Sequence, residues 1–431
     1  MKDTRAYALA QLLQMESEGR YLGLSLGGVP EEQRGFLTAL LYGIAEHKIT
    51  LDYYIGVLAK RSDLTPEARN ILRIGLYQLL YMDHIPVHAV VNTAVALAKK
   101  KSEAGFINAV LRRAVREPEC LTLPPREKNP LRYLSLCYSI PLPTLRLLVA
   151  DMGMEGAEAY LLACSKKAPL CLRINTLKTT REALLSLFLE KEIWALATPH
   201  APNGILVMDE LPVTQLPGFG EGLFFVQDEA AQIAVEALSP QKSSVLIDVC
   251  AAPGGKSFGA AISMENEGEV VSLELHESKL PLIQKGASRL GIHTIAPKAH
   301  DSRQPLQEYV GKADYVICDV PCSGMGVLRK KPEIRYKDTA DITAIPTLQG
   351  EILDTAATYL KPGGRMIYAT CTVFKKENEN VVNSFLLTHP DFIPVPFTVG
   401  DITASEGMIT LLPHVHETDG FFVALLEKTS F

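Results

Sequence analysis

The sequence lacks the marks of several common protein classes. Its 8 cysteines include no Cys-x-x-Cys pair, which excludes a zinc ribbon and a dithiol redox motif. Its 10 histidines fall at no metal-ligand spacing, so no metal is expected. No apolar run reaches about 18 residues, so no membrane span is expected. Positive charge is not in excess: 43 Lys+Arg face 49 Asp+Glu, for a net charge of -6, so the whole molecule is not a polycation. No signal peptide is visible, because Met1-Lys2-Asp3-Thr4-Arg5 leads into an amphipathic stretch. With its cysteines scattered through apolar runs, the chain reads as a cytoplasmic protein of a reducing compartment.

The 431 residues exceed one ordinary core, so two or three domains are expected. Residues 1–125 carry helical apolar spacing, as in Phe36-Leu37-Thr38-Ala39-Leu40-Leu41 and Asn70-Ile71-Leu72-Arg73-Ile74-Gly75-Leu76, and read as an all-α bundle. This part is mildly basic. Residues 1–119 hold 15 Lys+Arg against 13 Asp+Glu, while the remainder holds 28 against 36, so a nucleic-acid surface is sought here first. A Pro-rich, charged linker runs from Arg116 to Pro130. Residues 126–235 read as a small α+β lobe, with helices near 143–152 and 155–165 and strands at Leu170–Asn175, Gly204–Met208 and Leu223–Val226. From 236 to 431 strands and helices alternate, which predicts a doubly wound, Rossmann-like α/β domain with a parallel sheet and a late strand at 420–426.

Candidate groups stand at five successive strand ends of that last domain. The first turn, Asp248-Val249-Cys250-Ala251-Ala252-Pro253-Gly254-Gly255-Lys256, is small enough for close backbone approach and opens a helix whose amides suit an anion. It is neither GxGxxG nor a Walker A loop, since Cys250 stands where that loop needs Gly. Glu274 ends the second strand, placed for a ribose. Asp301 follows the third and suits an adenine amino group. Asp319 ends the fourth. A ribose, an adenine and a charged tail fit S-adenosylmethionine better than a pyrophosphate dinucleotide. Cys322, in Asp319-Val320-Pro321-Cys322-Ser323-Gly324, and Cys371, in Ala369-Thr370-Cys371-Thr372, each close a strand-like run. Two thiols facing one crevice suit covalent catalysis, with one nucleophile and a second thiol for a later step. The run Leu328–Lys337 follows Cys322 and, with its Lys, Arg and Tyr residues, suits a phosphate backbone.

These motifs resemble the signatures of RNA cytosine-C5 methyltransferases of the RsmB/NOP family, close to the bacterial RsmB (Sun, Fmu) type that acts on 16S ribosomal RNA. The resemblance spans nearly the whole chain. It implies a NusB-like RNA-binding bundle over 1–125, with Phe106-Ile107-Asn108-Ala109-Val110-Leu111-Arg112-Arg113 as its clearest stretch. It implies an RRM-like catalytic subdomain over 126–235 and a class I methyltransferase domain over 236–431. S-adenosyl-L-methionine would sit on Cys250, Ala251, Ala252, Pro253, Gly254, Gly255, Lys256, Glu274, Asp301 and Asp319. Cys371 would attack carbon 6 of the cytosine, Asp319 would bind the ring edge, and Cys322 would act in product release. The partner implied is 16S ribosomal RNA; no obligate protein partner is evident and a monomer is expected. Two departures stand out: Glu274 where Asp is usual, and Ala231 where many relatives carry Ser.

Other readings remain open at this level. A transfer-RNA cytosine-C5 methyltransferase shares the same motifs. A DNA cytosine methyltransferase puts its nucleophile in Pro-Cys and lacks the Thr-Cys at the next strand end, so Cys371 argues against it. A non-catalytic NusB-like RNA-binding or assembly factor would be favoured by loss of a cysteine or of the glycine turn, and all of them are present.

Overall fold

The computed structural model describes residues 4–18, 29–60 and 63–430; Met1, Lys2 and Asp3, which open the stretch expected to lack a signal peptide, lie outside them. The chain divides into two units, Met1–Ser165 with Lys330–Lys337, and Lys166–Arg329 with Asp338–Phe431.

The first unit is helical: α1 (Thr4–Glu18), α2 (Glu31–Ala59), α3 (Pro66–Tyr81), α4 (Val87–Leu97), α5 (Lys101–Arg116), α6 (Pro130–Cys137) and α7 (Leu142–Cys164). Helix α3 shows why. Thr65 caps it by accepting from the Ala68 amide at 3.1 Å, Pro66 sits where no amide is needed, and Glu67 faces the positive end. Its buried face, Ile71, Leu72, Ile74 and Leu76, joins Leu37, Leu40, Leu41 and Leu111 in the core. Gly75 lets α3 meet α5, since a Cβ there would lie 2.8 Å from the Leu111 methyls. Arg73 is nonetheless buried in the same helix, paired with Asp52 through two 2.7 Å bonds and with Glu16 at 2.5 Å. The two helices expected near 143–152 and 155–165 are the two halves of α7, separated at Gly153, whose φ of 75° and ψ of 173° are not helical.

Part of the basic run Leu328–Lys337 is taken up inside the helical unit, while Lys331 stays exposed. Its 3-10 turn, Pro332–Tyr336, belongs to the helical unit. Arg335 is buried and donates to Glu46 O at 2.8 Å and Tyr138 O at 2.9 Å, while Tyr336 donates to Ala45 O at 2.7 Å. The Arg335 guanidinium and the Tyr336 hydroxyl are thus spent on backbone carbonyls rather than held out for phosphates.

The second unit opens with a four-stranded antiparallel sheet in the order β2 (Ala195–Ala197), β3 (Gly204–Val207), β1 (Leu170–Ile174), β4 (Phe224–Val226). Helix α8 (Arg181–Glu190) contributes Leu184 and Phe188 to the core that this sheet shares. Helix α9 (Glu229–Leu238), which the sequence reading did not identify, pairs Glu236 with the fully buried Arg173 of β1 at 2.6 Å.

The larger sheet carries strands β5 (Val245–Asp248), β6 (Glu269–Glu274), β7 (Ile295–Ala299), β8 (Ala313–Asp319), β9 (Leu360–Thr370), β10 (Phe392–Pro394) and β14 (Phe421–Lys428). Their order is β10-β14-β9-β8-β5-β6-β7. Helices α10 (Gly255–Ser263), α11 (Leu280–Leu290), α12 (Thr339–Tyr359) and α13 (Glu379–Thr388) connect them. Strands β9, β8, β5, β6 and β7 are mutually parallel, as the alternation implies. Strand β14 is not: it enters antiparallel between β9 and β10. Short strands β11 (Phe397–Val399), β12 (Ile402–Ala404) and β13 (Met408–Leu411) precede it, and β13 pairs antiparallel with it. No long helical crossover separates β13 from β14, and a parallel return would need one.

Candidate active site

The chain leaves β5 toward β8 on one side and β6 on the other, so the strand order reverses beside β5. In open α/β sheets ligands bind in the crevice at that point, outside the carboxyl ends of the strands. A cavity of about 590 Å³ lies there. Its wall includes Cys250, Ala252, Lys256, Glu274, Asp301, Asp319, Cys322 and Cys371. Ala251, Pro253, Gly254 and Gly255 do not line it and instead shape the turn behind. Gly254 has φ 113°, and a Cβ there would lie 2.4 Å from the Phe258 ring.

Strands β8 and β9 are parallel neighbours, with Asp319 opposite Ala369. That register brings the loop after each strand to the same edge. Cys322 Sγ and Cys371 Sγ are 3.0 Å apart and both half-buried. The Cys322 thiol is pushed well above its ordinary range, first by its bond to Cys371 and then by burial. Burial likewise pushes up Cys250 and Cys318; the latter lies wholly inside β8 and packs in its core.

Lys256, in the first turn of α10, reaches Asp319 Oδ2 at 2.5 Å. Burial works against its charge, and the Asp319 carboxylate outweighs burial and raises its pKa. The same ammonium lies 5.1 Å from the centre of the Phe421 ring. Glu274 is nearly buried, with Lys279 at 3.2 Å and the His276 amide donating at 3.0 Å. Asp301 receives Arg303 on both oxygens, at 3.0 Å and 2.6 Å, and this bond brings its pKa down to about 2.

Phe421, Lys279, Arg303 and the exposed Leu275 also line the cavity and were not singled out from sequence. Lys279 and Arg303 lie within five residues of the predicted acids, a local signal that was readable. Phe421 carried none, because only the antiparallel insertion of β14 beside β9 brings it to this edge.

Asp248, below the cavity floor, accepts from Ser257 at 2.7 Å, and Ser257 accepts from Ser272 at 2.8 Å. Burial raises the Asp248 pKa to about 7. The folded protein therefore holds a proton that the unfolded chain releases near its ordinary carboxyl range. Stability from this group is full at low pH and is lost as pH rises toward 7. Asp248→Asn is expected to gain stability relative to the parent as pH rises from about 4 to about 7. Urea unfolding of both proteins across that range measures it, and a constant difference would refute it.

Three family models match the chain: the NusB family over residues 2–116, the ferredoxin-like domain of RsmF/B-like methyltransferases over 144–214, and 16S rRNA methyltransferase RsmB/F over 235–427. Among curated relatives, the probable ribosomal RNA small subunit methyltransferase B of Synechocystis is 36% identical, covering 92% of this chain and 91% of that one. That of Bacillus subtilis is 33% identical over 99% and 100%. Among solved structures, PH0851 superposes with a TM-score of 0.81 at 26% identity, over 98% of this chain and 99% of that one. NSun6 from Pyrococcus horikoshii with SFG gives 0.60 at 21%, over 68% and 99%, a likeness of fold. The chain belongs to the RsmB/F family of 16S rRNA methyltransferases.

Proposed function

We propose that this protein methylates carbon 5 of a cytosine in 16S ribosomal RNA, using S-adenosyl-L-methionine and a covalent cysteine adduct. The observation that carries the reading is the pair of thiols 3.0 Å apart beside the Asp319–Lys256 pair, at the ends of adjacent parallel strands.

The cavity suits the cofactor by its hydrogen-bond acceptors. It offers a carboxylate for the ribose at Glu274 and a second at Asp301 for the adenine amino group. When bound, the cofactor supplies an electrophilic methyl group. Carbon 5 of cytosine is a poor nucleophile until a thiolate adds to carbon 6, and Cys371 makes that bond. Asp319, held by Lys256, hydrogen-bonds the ring edge and stabilises charge that develops at the ring nitrogen. After transfer the carbon-5 proton leaves to a water beside Cys322, or to the Cys322 sulfur once its own proton has passed to that water, and the C–H electrons restore the carbon 5–carbon 6 double bond as the bond from Cys371 to carbon 6 breaks. A base in a helix must first be extruded to reach these groups.

Glu274→Ala removes charge-assisted bonds to the ribose worth roughly 1.5–3 kcal/mol, about ten- to a hundred-fold in cofactor affinity. Titration calorimetry reads it directly, and unchanged affinity would discard the ribose role.

The helical unit is proposed to hold RNA through α5. Lys100 and Lys101 at its start and Arg112 and Arg116 near its end are exposed. Neutralising Arg112 and Arg116 in the full chain is expected to weaken RNA binding and flatten its salt dependence by roughly one to two units of slope. An unchanged slope would rule the helix out.

Bisulfite sequencing of RNA from a deletion strain tests the whole reading. The expected result is loss of one methylcytosine in 16S rRNA. Loss confined to transfer RNA would move the substrate, and no loss at all would overturn the activity.

A further inference from the structure

Glu377 lies six residues past Cys371 and is fully buried. Its Oε2 accepts from the Ser323 backbone N–H at 2.7 Å, and its Oε1 accepts from the Thr372 hydroxyl at 3.3 Å. Ser323 follows Cys322 directly, and Thr372 follows Cys371. The hydroxyls of Ser323 and Thr372 are 2.7 Å apart. Gln349, from α12, donates to the same Oε2 at 3.4 Å and to Pro321 O at 3.0 Å. The Tyr368 hydroxyl donates to the Glu377 carbonyl at 2.6 Å and fixes its backbone. A carboxylate is costly to bury, and a fully bonded one confers rigidity on whatever it joins.

The geometry points to Glu377 as a positioning residue of the thiol pair: its carboxylate ties the turn after Cys322 to the turn after Cys371 and so fixes the separation of the two sulfurs. This rests on the reading of Cys371 as nucleophile and Cys322 as release group, and adds a residue that reading does not contain. Glu377 need not touch RNA or cofactor. Its charge has a second effect. Cys322 is faced by Cys371, Glu377, Asp319 and Tyr368, with Lys256 beyond Asp319. After Cys371 and burial, the negative charges of Glu377 and Asp319 further oppose ionisation of Cys322.

The test uses the full chain, with a 16S rRNA transcript carrying 5-fluorocytidine, whose fluorine cannot leave as a proton and traps the adduct. In Glu377→Ala the tie is gone, and trapping is expected to slow by about 100-fold, as for a small misplacement of a reacting group, with cofactor affinity within about two-fold. Glu377→Gln keeps the length and an acceptor oxygen, and is expected to restore trapping to within about three-fold of the parent. Without the charge, its thiolate absorbance, read without RNA, is expected to rise at lower pH than in the parent. Wild-type trapping in Glu377→Ala overturns the proposal. So does equal loss of trapping and cofactor affinity in both variants, which marks a role in folding alone. Should Glu377→Ala be insoluble, Thr372→Val decides: it severs one arm of the tie and is expected to slow trapping, and parental trapping there with no pH shift in Glu377→Gln is again fatal. Absence of any adduct in the parent protein refutes the thiol assignment instead, and the thiolate titration still reports on Glu377.

Discussion

Cys322→Ala protein is expected to accumulate a protein–RNA adduct that survives a denaturing gel, whereas Cys371→Ala is expected to form none. The two sulfurs are 3.0 Å apart, so proximity to the base cannot tell them apart, and the order of chemical steps must. On the roles proposed above, without Cys371 the carbon-6 bond does not form, carbon 5 stays unreactive, and product formation is expected to fall on the order of 10⁴-fold or more. Without Cys322 attack and methyl transfer proceed, but the carbon-5 proton is not removed and the sulfur cannot leave. The adduct then rises toward one per enzyme. Cofactor affinity should be near parental in both, because the carboxylate proposed for the ribose, Glu274, is untouched. A stable adduct in Cys371→Ala and none in Cys322→Ala would reverse the roles and give the DNA-methyltransferase pattern.

Gly326→Ala is expected to disable the enzyme without any change to a group proposed to react. The Gly326 amide donates to Cys371 O at 2.9 Å, and the Gly420 amide donates to Gly326 O at 2.9 Å. Three loops, those of Cys322, Cys371 and Phe421, are thereby stitched together. A Cβ at 326 would lie 1.8 Å from Gly420 O and 2.8 Å from Cys371 O, and backbone cannot swing aside as a side chain does. Overpacking of this kind costs about 1–3 kcal/mol of stability. The displaced Cys371 loop should cost about 100-fold in turnover, since reacting groups tolerate little misplacement. Gly350→Ala is the control. It lies in α12 with nothing within 4 Å of its added Cβ, so it is expected to gain roughly 0.5–1 kcal/mol from helix propensity and keep its activity. Thermal unfolding and a methylation assay on both proteins suffice. Parental turnover in Gly326→Ala would mean that the loops are not coupled.

Much of the site was legible because strand ends are local. A short apolar run that stops at Asp248, Glu274, Asp319 or Thr370 announces both the strand and the group at its edge. The parallel core of the larger sheet followed from alternation. Relations between distant segments did not. That β14 inserts beside β9 and delivers Phe421 depends on pairing, which no window of sequence encodes. Glu377 sits in the charged run Lys375-Lys376-Glu377-Asn378-Glu379, which reads as a solvated helix start, yet Glu377 is fully buried. Arg335 misled in the same way. A guanidinium in a basic run suggests phosphate, and only the structure supplies the two carbonyls it satisfies instead.

The placement of Lys330–Lys337 also orders events during synthesis. The helical unit is encoded first, but its last piece is not made until the ribosome has passed Lys337, well after Ser165. At about 5–20 residues per second the gap lasts on the order of 10–30 s. Through that interval Glu46 O, Tyr138 O and Ala45 O lack the bonds from Arg335 and Tyr336, and the surface that Ile334 will cover stays open. The helical unit is therefore completed only by a segment that lies, in the chain, between Cys322 and Cys371. A chain that stops short of residue 337 therefore lacks part of its first unit as well as of its second, although that first unit is otherwise complete at Ser165.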